Sequence, residues 1–194
     1  MSYNQEFYRL YSDYLEEATV RRSHDFAFDV FRSQYGGRGN VIDLGCGLGE
    51  YEKYGDCDEY LGIDRVVSGR VCRFMRADYT DMSFVSRLPW QPDTFISLFS
   101  IEACYPAAER YQLYEKLFAA LPSVQHALVP GFYYESRRQE ATVGEAGRIV
   151  SWQTIEGLHD FPSATFSEER LVLHTPSKMF GQDVVEVWKF LSRR

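Results

Sequence analysis

The stretch Asn40-Val-Ile-Asp-Leu-Gly-Cys-Gly-Leu-Gly-Glu50 decides how the rest of this chain reads. Val41-Ile42-Asp43-Leu44 is a short apolar run with the length of a buried strand. It breaks into a turn with glycine at 45, 47 and 49, and a helix is expected to open after it. Glycine lets a backbone approach a ligand closely, because a Cβ would collide with it. The first turn of a helix offers unpaired N–H groups and a positive dipole end, which suit an anion. The dinucleotide code G-x-G-x-x-G does not apply, since it needs a third glycine where this chain has Glu50. An acid two residues before the first glycine, Asp43, is also foreign to that code. Glu50 itself suits a helix start on dipole grounds alone.

Further short apolar runs follow at Tyr60-Leu61-Gly62-Ile63, from Val71 to Met75, from Thr94 to Phe99 and at Ala127-Leu128-Val129. Between the last two, Ala107 to Leu121 reads as a helix with Tyr111, Tyr114, Leu117 and Phe118 on one side. Strands alternating with helices predict an α/β fold, doubly wound, with a mostly parallel sheet. Upstream, Phe7, Leu10, Tyr11, Tyr14, Leu15 and Ala18 form a helical stripe, and Phe26, Val30 and Phe31 a second one that stops at Gly36-Gly37. Downstream, Leu171-Val172-Leu173 and Val184 to Leu191 read as a closing antiparallel pair, with a turn at Gly181-Gln182-Asp183. Phe132 to Arg170 carries a weak pattern, and Glu135 to Arg148, with Gly144 and Gly147, reads as a loop.

Two more acids fall at strand ends. Tyr60-Leu-Gly-Ile-Asp64 ends in a carboxylate twenty-one residues after Asp43, and Phe74-Met-Arg-Ala-Asp78-Tyr79 ends in another. A carboxylate at the first place can accept hydrogen bonds from both hydroxyls of a ribose. With the spacing D-x-G-x-G-x-G over 43–49, this set resembles the class I S-adenosylmethionine-dependent methyltransferases. Asp93-Thr-Phe-Ile-Ser-Leu-Phe-Ser-Ile-Glu102 resembles the fourth strand of that family. The resemblance covers roughly residues 38 to 130, and more weakly the terminal strand pair. It implies a seven-stranded sheet whose last strand is antiparallel, with S-adenosyl-L-methionine as cofactor. It further implies that the glycine turn receives the methionine part, that Asp64 binds the ribose and that Asp78 takes the adenine amino group. The cofactor-binding set so implied is Asp43, Gly45, Cys46, Gly47, Asp64, Arg65, Asp78, Tyr79 and Ser100. Two departures stand out. The stretch between Asp64 and Val71 is too short for a full crossover helix, and the fourth strand ends in Ser-Ile-Glu-Ala-Cys-Tyr-Pro rather than Asn-Pro-Pro-Tyr. The second departure speaks against a nucleic-acid base as acceptor.

Composition narrows the partners. The 194 residues make one domain. Its expected parts are a helical cap at 1–37, a cofactor-binding core at 38–130, a substrate or lid segment at 131–169 and the terminal strand pair at 170–194. With 21 basic and 28 acidic residues the net charge is −7, which argues against broad nucleic-acid binding. No run approaches the roughly 20 apolar residues a membrane span needs, and the start MSYNQEFYRL has no signal-peptide layout. The 4 cysteines include no CxxC pair, so reduced thiols in a cytoplasmic protein are expected, and no metal site.

The expected reaction is methyl transfer by in-line attack on a small-molecule acceptor. The alternatives are a protein or RNA acceptor, or a methyltransferase-like binding module without turnover. No catalytic residue is identified. The candidates are His159, beside Asp160; Glu102, at the end of the fourth strand; and Tyr133, which with Tyr134 follows the fifth strand as a pocket wall. Tyr8, Tyr11 and Tyr14 would cover a site in this fold, with plain helix packing the favoured reading. Arg137, Arg138 and Arg148 would meet an anionic acceptor, with solvation in a charged loop as the simpler reading.

Overall fold

Five parallel strands meet around the run that opened the sequence. β1 (Asn40–Leu44) lies between β2 (Glu59–Asp64) and β4 (Thr94–Ile96), with Asp43 opposite Gly62 on one side and Ile96 on the other. Its last four residues are buried, which is why the run is apolar on both faces and does not alternate. In this computed structural model the described residues are 13–35, 39–47, 49, 51–52, 57–65, 73–105, 107–134, 139–143, 148–154, 163–178 and 182–194. β3 (Phe74–Arg76) pairs with β2, and β5 (His126–Tyr134) with β4, both parallel. β9 (Gln182–Arg193) runs antiparallel along β5, and β8 (Phe166–Ser177) antiparallel along β9. These seven strands follow the order β3-β2-β1-β4-β5-β9-β8, and β9 alone runs against the rest.

The sheet contains two further strands, making nine. β6 (Gln139–Val143) and β7 (Arg148–Thr154) form an antiparallel hairpin, so β6 is a strand inside the loop expected over Glu135 to Arg148, and β7 begins at its end. Gly144 and Gly147, which suggested a loop, lie outside the described residues, and Ile149, Val150 and Trp152 are residue types that favour strands. β7 pairs in parallel with only Tyr133 and Tyr134 of β5. Tyr133 also pairs with Val185 of β9, so β7 takes the opposite edge, the one β4 vacates by ending at Ile96. The hairpin therefore stands beyond the carboxyl end of β4. The terminal strand pair also begins earlier than its apolar runs suggest, at Phe166, because β8 alternates exposed and covered residues.

Helices cover both faces. α1 (Ala18–Tyr35) buries Val20, His24, Ala27, Phe28 and Phe31, at helical spacing, in a core with Trp188 and Phe190. The stripe expected to run through Ala18 breaks at Glu17, whose carboxylate accepts from Ser177 Oγ and Lys178 N; Ala18 is exposed. On the other face, α2 (Ile101–Cys104) and α3 (Ala107–Ala120) bring Ile101, Tyr111, Tyr114, Leu117 and Phe118 against Phe95, Ala127, Val129, Phe166 and Leu191. The link from β3 to β4 holds no α-helix; a single 3₁₀ turn at Val85–Arg87 follows the buried Phe84.

Candidate functional site

The glycine turn is bent by backbone geometry that only glycine adopts easily. Gly45, Gly47 and Gly49 have φ of 74°, 49° and 74°, all in the left-handed region. The turn leans toward the end of β2. Gly45 N and Cys46 N both donate to Ile63 O, at 2.7 and 3.3 Å, and Gly47 N donates to Asp64 Oδ2 at 2.9 Å. At Gly45 a second constraint acts. A Cβ there would lie 2.0 Å from Ser100 Oγ and 2.6 Å from Ser100 Cβ, so a neighbouring side chain already fills that space.

Beneath the turn, Asp43 is 1% exposed. Its Oδ2 accepts from Tyr60 OH at 2.8 Å, while Oδ1 has no hydrogen-bond partner among the described residues. Burial pushes this carboxyl up to about 7, against the pull of the Tyr60 hydrogen bond and with help from the negative charge of Asp64. A buried carboxylate oxygen without a donor is rare, because leaving it dry costs about 1–3 kcal/mol or more. Burial, with Asp43 and Asp64 nearby, also raises the Cys46 thiol far above its ordinary range. The shift favours the thiol of Cys46 over the thiolate, which is the nucleophilic form.

A third corner forms after β3. Asp78 Oδ1 accepts from Thr80 N at 3.0 Å and Thr80 Oγ1 at 2.6 Å, and Oδ2 lies 2.5 Å from Arg65 Nη2. Burial would raise this carboxyl, but the Thr80 hydrogen bonds and the Arg65 charge outweigh it and hold it below its ordinary value. Arg65 O in turn accepts from Arg76 Nε at 3.1 Å. Tyr79 OH lies 3.0 Å from Ser100 Oγ, so Ser100 touches both the third corner and the first glycine. Asp43 and Asp64 are among the last residues of β1 and β2, and the other seven residues of the implied cofactor set follow the carboxyl ends of β1, β2, β3 and β4. Direct contacts join Gly47 to Asp64, Arg65 to Asp78, and Tyr79 and Gly45 to Ser100.

The candidates for proton transfer fare differently. Glu102 sits in α2 and is 2% exposed. Lys189 Nζ donates to both of its carboxylate oxygens, at 3.0 and 2.9 Å, and Tyr114 OH donates to Oε1. Tyr133 lies inside β5, opposite Val185 and Gln153, rather than after it, because pairing with β9 and β7 prolongs the strand. His159 lies outside the described residues, as do Tyr8, Tyr11, Arg137 and Arg138; Arg148 opens β7. Tyr14 is buried, its hydroxyl donates to Glu186 and its ring meets Phe132 at 5.4 Å, which is helix packing. Sequence reasoning missed Phe99. It has φ of 54°, unusual for an aromatic residue, and stacks on Phe132 at 4.2 Å and on His24 at 5.5 Å. Nothing in its apolar run marks the point where the strand stops and the backbone reverses.

Parallel strands in the order β3-β2-β1-β4-β5 are thus closed by the antiparallel β9 and by β8, with a glycine turn after β1 and acids after β2 and β3. The fold is that of the class I methyltransferases. By sequence, the chain matches no family model and no curated protein. By structure, it is similar to the 1,6-didemethyltoxoflavin-N1-methyltransferase of Burkholderia thailandensis, solved with 1,6-didemethyltoxoflavin and S-adenosylhomocysteine. That likeness has a TM-score of 0.61 at 17% identity over 100% of this chain and 92% of that one. It is similar also to the N-methyltransferase NodS of Bradyrhizobium japonicum WM9, solved with S-adenosylhomocysteine, at 0.62 and 16% over 97% and 93%. A third is the small RNA methyltransferase HEN1, at 0.58 and 16% over 88% of this chain and 25% of that one. With an RNA methyltransferase among these folds, the expectation against a nucleic-acid partner gains no support. No helix among the described residues is long and apolar enough to cross a membrane.

Proposed function

We propose that this chain is an S-adenosylmethionine-dependent methyltransferase acting on a small-molecule acceptor. One observation carries the reading. Three left-handed glycines are tied through Gly47 to Asp64, and they stand over a buried Asp43 with an unpartnered oxygen. A cationic, sugar-bearing ligand suits that donor set. The turn at 45–47 offers backbone to its amino-acid end, Asp43 offers a carboxylate to an ammonium group, and Asp64 accepts from sugar hydroxyls. Cys46 lines the turn, Asp78 and Tyr79 stand where an adenine would end, Arg65 holds Asp78 in place, and Ser100 closes the side facing β4.

When bound, the cofactor supplies an electrophilic methyl on a sulfonium, which passes to an acceptor lone pair as the carbon–sulfur bond breaks. The chain's own share is to bind, orient and exclude water. Holding reactants in near-attack geometry accounts for roughly 7–11 kcal/mol of barrier reduction. Such a reaction needs an early base only for acceptors that must lose a proton first, so the Glu102 ion pair leaves it intact. Within the single domain, residues 1–37 act as the cap and 131–169 as the acceptor side. The β6–β7 hairpin beyond β4 supports that division. The net charge of −7 and the toxoflavin-type neighbour favour a small molecule. The likeness to HEN1 keeps an RNA acceptor as the second reading. The free thiol of Cys46 accords with a cytoplasmic setting.

Calorimetry with S-adenosylmethionine and S-adenosylhomocysteine tests this first. Both should bind; if neither does, the methyltransferase reading fails, and so does the alternative of a cofactor-binding module without turnover. Asp64→Ala should weaken binding by about 1.5–3 kcal/mol through loss of charge-assisted hydrogen bonds. An unchanged affinity would contradict the role given to Asp64.

A further inference from the structure

Among the described residues, three buried charged side chains meet outside the site. Glu102, Arg110 and Lys189 are 2%, 1% and 1% exposed, and they meet between α2, α3 and β9. Lys189 Nζ is bound by both oxygens of Glu102, and Arg110 Nη1 donates to Glu102 O at 2.8 Å while lying 3.4 Å from Oε2. Tyr114 OH completes the ring of donors. Further out, Lys189 lies 5.3 Å from the centre of the Tyr111 ring, whose hydroxyl donates to Glu168, and Glu168 pairs with Arg170. Burying such ions costs several kcal/mol each, and apolar residues of the same volume often hold a fold as well or better. What apolar residues do poorly is fix the angle of a short element. α2 is four residues long, too short to hold itself by its own hydrogen bonds.

We infer that Lys189 and Gly131 are positioning residues, which set the height and angle of α2 so that Ser100 meets the glycine turn. The mechanical chain can be followed atom by atom. Lys189 grips Glu102 from β9. Gly131 of β5 lets Glu102 settle onto the sheet, since a Cβ there would lie 2.7 Å from Glu102 Cβ and 3.1 Å from its Cγ. Two residues before Glu102, Ser100 occupies the space a Cβ of Gly45 would need, and its hydroxyl meets Tyr79. Ser97 Oγ holds the other end of this segment, accepting from Ile101 N at 3.1 Å and donating to Leu44 O at 2.8 Å. A small lift of α2 at Glu102 thus moves Ser100 against Gly45 and Tyr79, the two corners given to the cofactor. This inference rests on the cofactor reading above and adds the device that keeps its two corners in register.

The test uses S-adenosylhomocysteine as the probe, by calorimetry on the full chain, with folding followed by circular dichroism. The double variant Lys189→Met/Glu102→Gln removes one positive and one negative charge together, so the net charge of the cluster is unchanged. It should unfold cooperatively yet bind at least about ten-fold more weakly than the wild-type chain, the scale of one lost hydrogen bond. A folded double variant with wild-type affinity overturns the inference, because a merely structural cluster would not move binding once the fold is intact. Gly131→Ala tests the same geometry with every charge in place, and covers the case in which the double variant does not fold. It too should lose about ten-fold in affinity, and wild-type affinity in it overturns the inference. Absence of binding in the wild-type chain overturns the cofactor reading itself; binding there with no loss in the variants overturns only the positioning role.

Discussion

Two buried carboxylates, Asp43 under the glycine turn and Glu102 on the face covered by α3, sit on opposite sides of β4 and are satisfied to different degrees. Glu102 has donors on both oxygens, from Lys189 and Tyr114. A third buried acid, Glu186, is equally well served: Trp188 Nε1 donates to Oε2 at 2.9 Å, Tyr14 OH donates to Oε1, and His24 Nε2 lies 3.2 Å from Oε1. Asp43 has one donor and one bare oxygen. Full satisfaction marks a buried acid that holds elements together, here α2 to β9 and α1 to β9. Under the proposed function, the bare oxygen of Asp43 is left for a partner that arrives from outside. The contrast predicts that neutralising each acid, or its partner, acts with opposite sign.

The largest effect should come from Lys189→Met alone. It leaves Glu102 charged, buried and short of its main partner, and should cost about 3–5 kcal/mol in urea unfolding. A loss below about 1 kcal/mol would show that Glu102 finds water and is not part of a closed anchor.

Asp43→Asn should do the reverse. In the folded chain this carboxyl titrates near 7, against an ordinary 3.8. The folded state therefore holds a proton that the unfolded chain releases between those values. Stability is whole below pH 4 and is lost as pH rises through 7, by up to about 4 kcal/mol. The amide cannot ionise, but it brings one unpaired donor worth about 1–3 kcal/mol. The variant should thus be more stable than the wild-type chain by about 1–3 kcal/mol at pH 8 and less stable by about 1–3 kcal/mol at pH 4, while its affinity for S-adenosylmethionine falls. Unfolding curves at the two pH values check the sign; a variant less stable at pH 8 would place Asp43 with the satisfied acids.

The smallest effect should come from Arg65→Ala. The Arg65–Asp78 bridge is 45% and 32% exposed, and such pairs contribute at most about 1 kcal/mol. Asp78 keeps both Thr80 donors, so the melting temperature should move little. A shift as large as that of Lys189→Met would erase the distinction between surface and interior charges drawn here.

Much of the fold was legible in the chain because its signals are local. A buried parallel strand is a continuous apolar run, and a tight turn near a ligand favours glycine, so β1, its turn, the end of β2 at Asp64 and the acid Asp78 just past β3 can be read directly. The β6–β7 hairpin was not legible, because its order comes from backbone pairing and not from an apolar run. Nor was the stop of β4 at Ile96, three residues before Phe99 takes a left-handed conformation, since the apolar residues continue at Leu98 and Phe99.

By itself, then, the sequence determined the buried strand before the turn, the glycine turn and the acids that close the next two runs, since each depends on a few neighbouring residues. Only the tertiary structure decided which acids are satisfied. Glu102 meets Lys189 across eighty-seven positions and Glu186 meets Tyr14 across one hundred and seventy-two, while among the described residues the Asp43 carboxylate meets Tyr60 alone. A carboxylate's partner is set by which elements fold against it, and no spacing along the chain records that.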